Sequence, residues 1–278
     1  MKKITDLLLI LTLIAGLTTA CSKENPVAPA LPPAESMTID FSNFITEKKR
    51  APAYDTKGIE TASWTFSAHA ASYWNSLMVT TLPIPVIAYG QAEEHSPVYL
   101  ENNTWEWKYD IQVFTATYRI RLTGRTYGQN AEWKMYVSRE ESSSFSEFLW
   151  LEGISKLDGS GGQWILNHCS YYNEPVIQID WTGDGTDIQT VKYTYIRELN
   201  DSREDDPFLT SFIEYGKRSG GTYDAYYLIH YFNGTDFLDV EVEWNTADRY
   251  GRVRCEAFFA DDEWHCWNGN YINIFCPL

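Results

Sequence analysis

From Val98 to the C-terminus apolar and polar side chains alternate, and this period of two is the strongest constraint on the fold. TWEWKYDI at 104–111 puts Trp105, Trp107, Tyr109 and Ile111 on one face and Glu106, Lys108 and Asp110 on the other. YRIRLTG at 118–124 sets Tyr118, Ile120 and Leu122 against Arg119 and Arg121. EWKMYV at 132–137 sets Trp133, Met135 and Val137 against Glu132 and Lys134. Successive side chains of a strand point to opposite faces, so the pattern predicts strands with one buried and one wet face. Further strands are expected near 147–157, 162–169, 175–181, 189–197, 209–217, 222–232, 237–244 and 252–259, about eleven in all. Turn-formers separate them: DGSGG at 158–162, GDG at 183–185, RSGG at 218–221 and NG at 233–234. Links this short join antiparallel neighbours in a meander. A meander of that length closes into a barrel, curls into a half-barrel or splits into two packed sheets.

One segment has a helical period. Between Thr61 and Thr81, Trp64, Ala68, Ala71, Trp74 or Tyr73, and Leu77 or Met78 fall on one stripe. Thr61 or Ser63 is placed to cap its start, and Pro83 and Pro85 forbid its continuation. The expected fold is therefore all-β, an antiparallel meander forming a curled half-barrel or barrel with this helix packed on it. That layout is similar to the half-barrel-plus-helix of periplasmic lipoprotein carriers and lipid-binding lipoproteins, at the level of architecture alone.

The N-terminus carries an address. Lys2 and Lys3 precede the apolar run LLLILTLIAGL at 7–17. As a helix that run rises only about 16 Å, about half of a hydrocarbon core, which marks a secretory signal and not a membrane span. The stretch LTTAC that follows resembles the lipobox of bacterial lipoproteins, with Thr18 where Leu is usual. The resemblance implies cleavage before Cys21, acylation of Cys21 and, with Ser22 next, an outer-membrane address in the cell envelope. Residues 22–36 contain Pro26, Pro29, Pro32 and Pro33 and read as an extended tether reaching about 45 Å at about 3.1 Å per residue. The expected organisation is a signal peptide at 1–20, lipidated Cys21 and tether at 21–36, and one β-rich domain at 37–278.

Formal net charge is −16, and loss of Lys2, Lys3 and Asp6 with the signal takes it to −17. Such a surface repels phosphate backbones, so nucleic acid is not an expected partner, and KKR at 48–50 reads as a solvated face. With Cys21 lipidated, the remaining four of the 5 cysteines suggest disulfides. CWNGNYINIFC at 266–276 is a short loop around an Asn-Gly turn, which favours Cys266–Cys276 and leaves Cys169–Cys255 by elimination, with buried thiols as the alternative for that second pair. The dipeptides His168-Cys169 and His265-Cys266 are poor zinc ligands, because neighbours on a strand face opposite ways.

Two stretches echo one another. IQIDW, a loop TGDGTDIQT and VKYTYI at 177–196 match VEVEW, NTADRYGR and VRCEAFF at 240–259. Trp181 and Trp244 face inward in both. Asp180 lies across from Lys192, and Glu241 and Glu243 lie across from Arg252 and Arg254, pairs worth about 0.2–1 kcal/mol each. Asp180, Asp184 and Asp187 crowd the first loop, but the twin keeps only Asp248 there. A calcium loop also needs a late Glu where Thr190 or Val191 stands. No metal site and no cofactor are expected.

No nucleophile elbow, HExxH, Walker loop or dinucleotide fingerprint appears. Carboxylate pairs such as Glu93/Glu94 and Asp261/Asp262 are expected on the surface of so acidic a chain. The favoured reading is a non-catalytic, lipid-anchored envelope protein binding an apolar ligand or lipid, with Trp105, Trp107, Trp133, Trp164, Trp181 and Trp244 as candidate ligand contacts or as plain core. The alternative is a surface module for a glycan or an envelope protein, using Trp264, Trp267 and Tyr271. A glycoside hydrolase, which needs only two placed carboxylates, ranks third.

Overall fold

A computed structural model of the chain describes residues 26–44, 60–140, 144–171 and 173–277. The signal peptide, Cys21 and the basic run at 48–50 lie outside the described residues. The alternating segments form one antiparallel sheet of 14 strands in sequence order, and the sheet does not close on itself. The strands are β1 (Val98–Tyr99), β2 (Thr104–Val113), β3 (Ala116–Tyr127), β4 (Asn130–Arg139), β5 (Phe145–Lys156), β6 (Gly161–Asn167) and β7 (Pro175–Gly183). They continue as β8 (Ile188–Tyr195), β9 (Phe212–Lys217), β10 (Ala225–Phe232), β11 (Phe237–Trp244), β12 (Gly251–Arg254), β13 (His265–Trp267) and β14 (Asn273–Ile274).

The eleven expected strands lie at β2 to β12. The three additions, β1, β13 and β14, are two or three residues long, too short to show a period. The two at the rims leave little edge for another chain to pair with. The last expected strand stops at Arg254 and gives way to one helical turn, α3 (Glu256–Phe259), closed by Ala260 at φ 66°.

Register explains how so many tryptophans share one face. Across β2 to β6 a single cross-strand row reads Trp105, Gly124, Trp133, Gly153, Trp164. A second row reads Trp244, Gly251, Trp267 across β11 to β13. Opposed Cβ atoms sit about 5 Å apart, too close for two indoles side by side. Each glycine lends its space to the ring next to it: a Cβ on Gly124 would lie 2.6 Å from Trp133 Cζ3, and one on Gly153 or Gly251 would collide with Trp164 or Trp267.

The N-terminal segment covers this aromatic face. Helix α1 (Ala62–Thr81) packs on β12, β13 and β14, and helix α2 (Pro83–Gln91) packs on α1 and β2. Trp64, Ala71, Trp74 and Met78 of α1 are buried, as their spacing requires. Thr61 makes no side-chain cap. The carboxamide Oδ1 of Asn273 accepts the Ser63 N–H instead, at 3.1 Å. Pro83 ends α1 but opens α2 from its first turn, where proline lacks only an N–H that would go unpaired anyway.

Residues 29–36, expected to be tether, belong to the core together with residues 37–44. Pro29, Pro32, Ser36, Met37, Ile39, Phe41 and Phe44 are buried, and a 3-10 turn at Ala34–Met37 rests on β7 and β8. The tether reading fails because proline-rich sequence is extended whether or not it is solvated, and here it meets an aromatic surface. No helix of the described residues is long and apolar enough to cross a membrane.

Candidate functional site

Three of the six inward tryptophans, Trp164, Trp181 and Trp244, meet the arm formed by residues 29–44. All of Trp105, Trp107, Trp133, Trp164, Trp181 and Trp244 are 3% exposed or less. Polar tips from the sheet and from α2 are aimed at the arm. Tyr89 Oη donates to the Pro32 carbonyl at 3.1 Å and Trp164 Nε1 to Ser36 Oγ at 3.1 Å. Tyr193 Oη donates to the Met37 carbonyl at 2.8 Å, and Tyr227 Oη donates to the Asp40 carbonyl. Burial pushes the hydroxyls of Tyr89, Tyr193 and Tyr227 upward, so they stay protonated donors. Phe44 meets Trp244 edge-on at 4.9 Å and Tyr227 at 5.5 Å. The aromatic face is therefore covered in part by the protein's own residues 29–44. Four indole donors, Nε1 of Trp74, Trp150, Trp181 and Trp244, are buried with no acceptor among the described residues.

Sequence reasoning missed the arm. Its signal was the short alternation Met37, Ile39, Phe41, with Thr38, Asp40 and Ser42 exposed between them.

The expected outer platform does not assemble. Trp267 turns into the core and donates from Nε1 to the Arg249 carbonyl at 2.9 Å. Tyr271 lies against Trp64, ring centroids 4.4 Å apart. Trp264 stays on the outer side, covered by Arg252 at 4.1 Å and Arg254 at 5.1 Å. A cleft of about 310 Å³ opens at Cys266 and Trp267, walled by Tyr223, Tyr250, Ile274 and Pro277.

Cys266 and Cys276 form the expected disulfide, Cα atoms 5.1 Å apart. Cys169 and Cys255 do not pair and both are thiols. Cys169 follows β6 and Cys255 follows β12, and six strand spacings of about 4.8 Å separate those strands along the sheet, whereas a disulfide tolerates about 7 Å between Cα atoms. Burial raises the Cys255 thiol. The two His-Cys dipeptides are likewise apart, with His265 on Asp261 at 2.9 Å and Cys169 beside His168.

The loop acids are spent on their own turns. Amides of Gln163 and Gln178 bond Asp180, each at 2.7 Å. Asp184 accepts the backbone N–H groups of Thr186 and Asp187, each at 2.9 Å. Asp158 and Asp187 do line one cleft, of about 200 Å³, between Ala30–Pro33 and the β5–β6 and β7–β8 turns. Hydrogen bonds from Ser160 hold the Asp158 carboxyl low, the opposite of what a general acid requires. Comparison with protein-family models, with curated proteins and with solved structures finds no match.

Proposed function

We propose that the chain is an exported, lipid-anchored protein of the outer membrane that binds rather than catalyses, and that its concave aromatic face is the binding surface. One observation carries this reading: Tyr193 and Tyr227 on that face, with Tyr89 of α2, hold backbone carbonyls of a separate segment laid over it. In this reading the sheet is a curled half-barrel. Laid flat, fourteen strands would span about 60 Å, while α1 is about 30 Å long. Yet the arm and helices together reach β2, β7, β8 and β12 to β14.

A docked arm shortens the tether. From Cys21 to Pro29 the chain spans about 25 Å as polyproline II. The acylated protein would then sit close to the bilayer with the β5–β6 and β7–β8 turns nearest it, because Ala30–Pro33 lies against those turns. Replacing Cys21 with Ser tests the anchor. The variant is expected in the soluble envelope fraction, and its retention in membranes would sink the lipoprotein reading.

The cleft beside Tyr223 and Tyr250 supports a second reading, a surface site for a glycan or an envelope protein. Binding that is lost in Tyr250→Ala while the arm stays docked would move the site there.

A further inference from the structure

We propose that the Cys266–Cys276 disulfide is a redox latch. Closed, it holds residues 268–277 where they cap the start of α1 and wall the cleft at Tyr223 and Tyr250, and its reduction releases both. Neither part depends on what the concave face binds.

The contacts that finish α1 come from this loop and not from the helix. Thr61 makes no side-chain cap. Asn273 supplies one: its Oδ1 accepts the Ser63 N–H at 3.1 Å, and its backbone N–H donates to the Glu60 carbonyl at 2.7 Å. Tyr271 lies on Trp64, which is buried. The same loop carries Ile274 and Pro277, which wall the 310 Å³ cleft together with Tyr223 and Tyr250. One bridge therefore serves a helix start and a cleft wall at once.

Little besides the bridge keeps this chain end in place. The turn at Asn268 closes on itself, with Asn268 N–H on the Ile272 carbonyl and Tyr271 N–H on the Asn268 carbonyl. Beyond it only Asn273 and Ile274 pair with β13. Ile272 and Ile274 are 40% and 42% exposed, and Phe275 is fully exposed. A chain end that buries so little frays unless it is tied down. Tyr271 stands at φ 66°, a conformation that a bulky residue leaves when it is free to. The two sulfurs are unequal in access: Cys266 is 2% exposed and Cys276 is half-buried. A thiolate of an incoming dithiol therefore attacks Cys276 Sγ, forms a mixed disulfide there and expels Cys266 as a thiolate, which takes up a proton. The second thiol of the reductant then displaces Cys276. Two protein thiols and one oxidised dithiol result, two electrons having passed to the protein. Disulfides persist in oxidising surroundings, so a chain in reducing ones lacks both cap and wall.

Hydrogen exchange read by mass spectrometry tests the latch on the whole mature chain, with Cys21→Ser for solubility, before and after reduction by dithiothreitol. A bridge that closes a loop of about ten residues changes the opening of what it holds by up to about a hundredfold. Exchange at residues 63–66 and 270–277 is expected to rise about ten- to a hundredfold on reduction, while β10 keeps its protection. Asn273→Ala with the bridge closed is expected to raise exchange at 63–66 and to leave β10 unchanged. Unchanged exchange at 63–66 after reduction would overturn the proposal. A rise that extends to β10 would make the bridge a staple for the whole domain and also overturn it. Full protection of 63–66 in Asn273→Ala would show that α1 is held by other contacts and reject the latch as its cap.

Discussion

Strands β7 and β11 each end near an inward tryptophan, Trp181 and Trp244, and each ring has a glycine opposite it, Gly162 on β6 and Gly251 on β12. On the inner face the two hairpins, β7–β8 and β11–β12, are alike in burying a tryptophan opposite a glycine, which lies on β6 outside the first hairpin and on β12 within the second. On the outer face they are not. Asp180 stands in register with Lys192, yet the expected ion pair is absent. Gln163 and Gln178 take the carboxylate, while Lys192 Nζ lies 4.0 Å over the ring of Phe212. In the second hairpin the expected pairs form, Glu243 with Arg252 and Glu241 with Arg254, each at 2.6 Å. Register decides which side chains can meet. The third strand decides which do: β6 brings an amide to Asp180, whereas Arg218, just beyond β9, brings a second guanidinium to Glu243. Inside, shape leaves one answer, and outside several partners of similar worth compete.

The inner equivalence breaks first if it is wrong. Trp181→Ala and Trp244→Ala should each cost about 3–5 kcal/mol, as large aromatic deletions from a packed core do. Chemical denaturation should give losses that agree within about 1 kcal/mol. A loss at Trp181 below about 1 kcal/mol would show that its contact with the 200 Å³ cleft leaves it half-supported and the two sites unlike.

The outer difference gives a smaller effect. Glu243 is 7% exposed and holds two arginines that are themselves partly solvated. Glu243→Gln should cost about 1–2 kcal/mol, less than a fully buried pair because the arginines keep water. Asp180→Asn, which keeps an acceptor for both glutamines, should change stability by under about 0.5 kcal/mol. The two also separate by pH. Burial works to raise the Glu243 carboxyl, but hydrogen bonds from Arg252 and Arg218 outweigh it and hold it low. A depressed folded value means stability that is present above the unfolded pKa of about 4.3 and is lost as pH falls through the folded value. Thermal unfolding between about pH 5 and 2.5 should therefore fall more steeply in the wild type than in Glu243→Gln. Parallel curves would leave the Arg218–Glu243–Arg252 cluster without a stabilising role.

These comparisons show how far the sequence carried. The alternation placed β2 to β12 and the inward tryptophans because a period of two survives any context. It could not place β1, β13 or β14, which are too short to have one. Gly162 and Gly251 fell in expected turns, and Gly124 and Gly153 in expected strands without a reason to be glycine, since their role depends on a ring contributed by a neighbouring strand. Pro29, Pro32 and the residues up to Ser36 read as tether for a related reason: local sequence does not reveal that an aromatic surface lies above it. The Cys266–Cys276 bridge was legible because a short loop fixes it, and the Cys169–Cys255 idea was not decidable without knowing strand order. The candidate site itself lay in Tyr89, Tyr193 and Tyr227, whose hydroxyls matter only through the arm.

The loops give the smallest predicted effect. In β7–β8, Asp184 Oδ1 accepts the N–H groups of Thr186 and Asp187. In β11–β12, Asn245 Oδ1 accepts those of Ala247 and Asp248 at 3.1 and 2.8 Å. One turn is built by a carboxylate and its counterpart by a carboxamide, so the acceptor is needed and the charge is not. Hydrogen bonds from Asp187 and Thr186 lower the Asp184 carboxyl, and that small contribution is present above about pH 3.9 and fades as pH falls through the folded value. Asp184→Asn should leave the neutral-pH melting temperature within about 1 °C and flatten its decline in acid. Millimolar calcium should move neither protein, because the oxygens an ion would need are committed to the turn. A calcium-dependent rise in the melting temperature, abolished by Asp184→Asn, would return this loop to the class of metal sites and make its likeness to β11–β12 accidental.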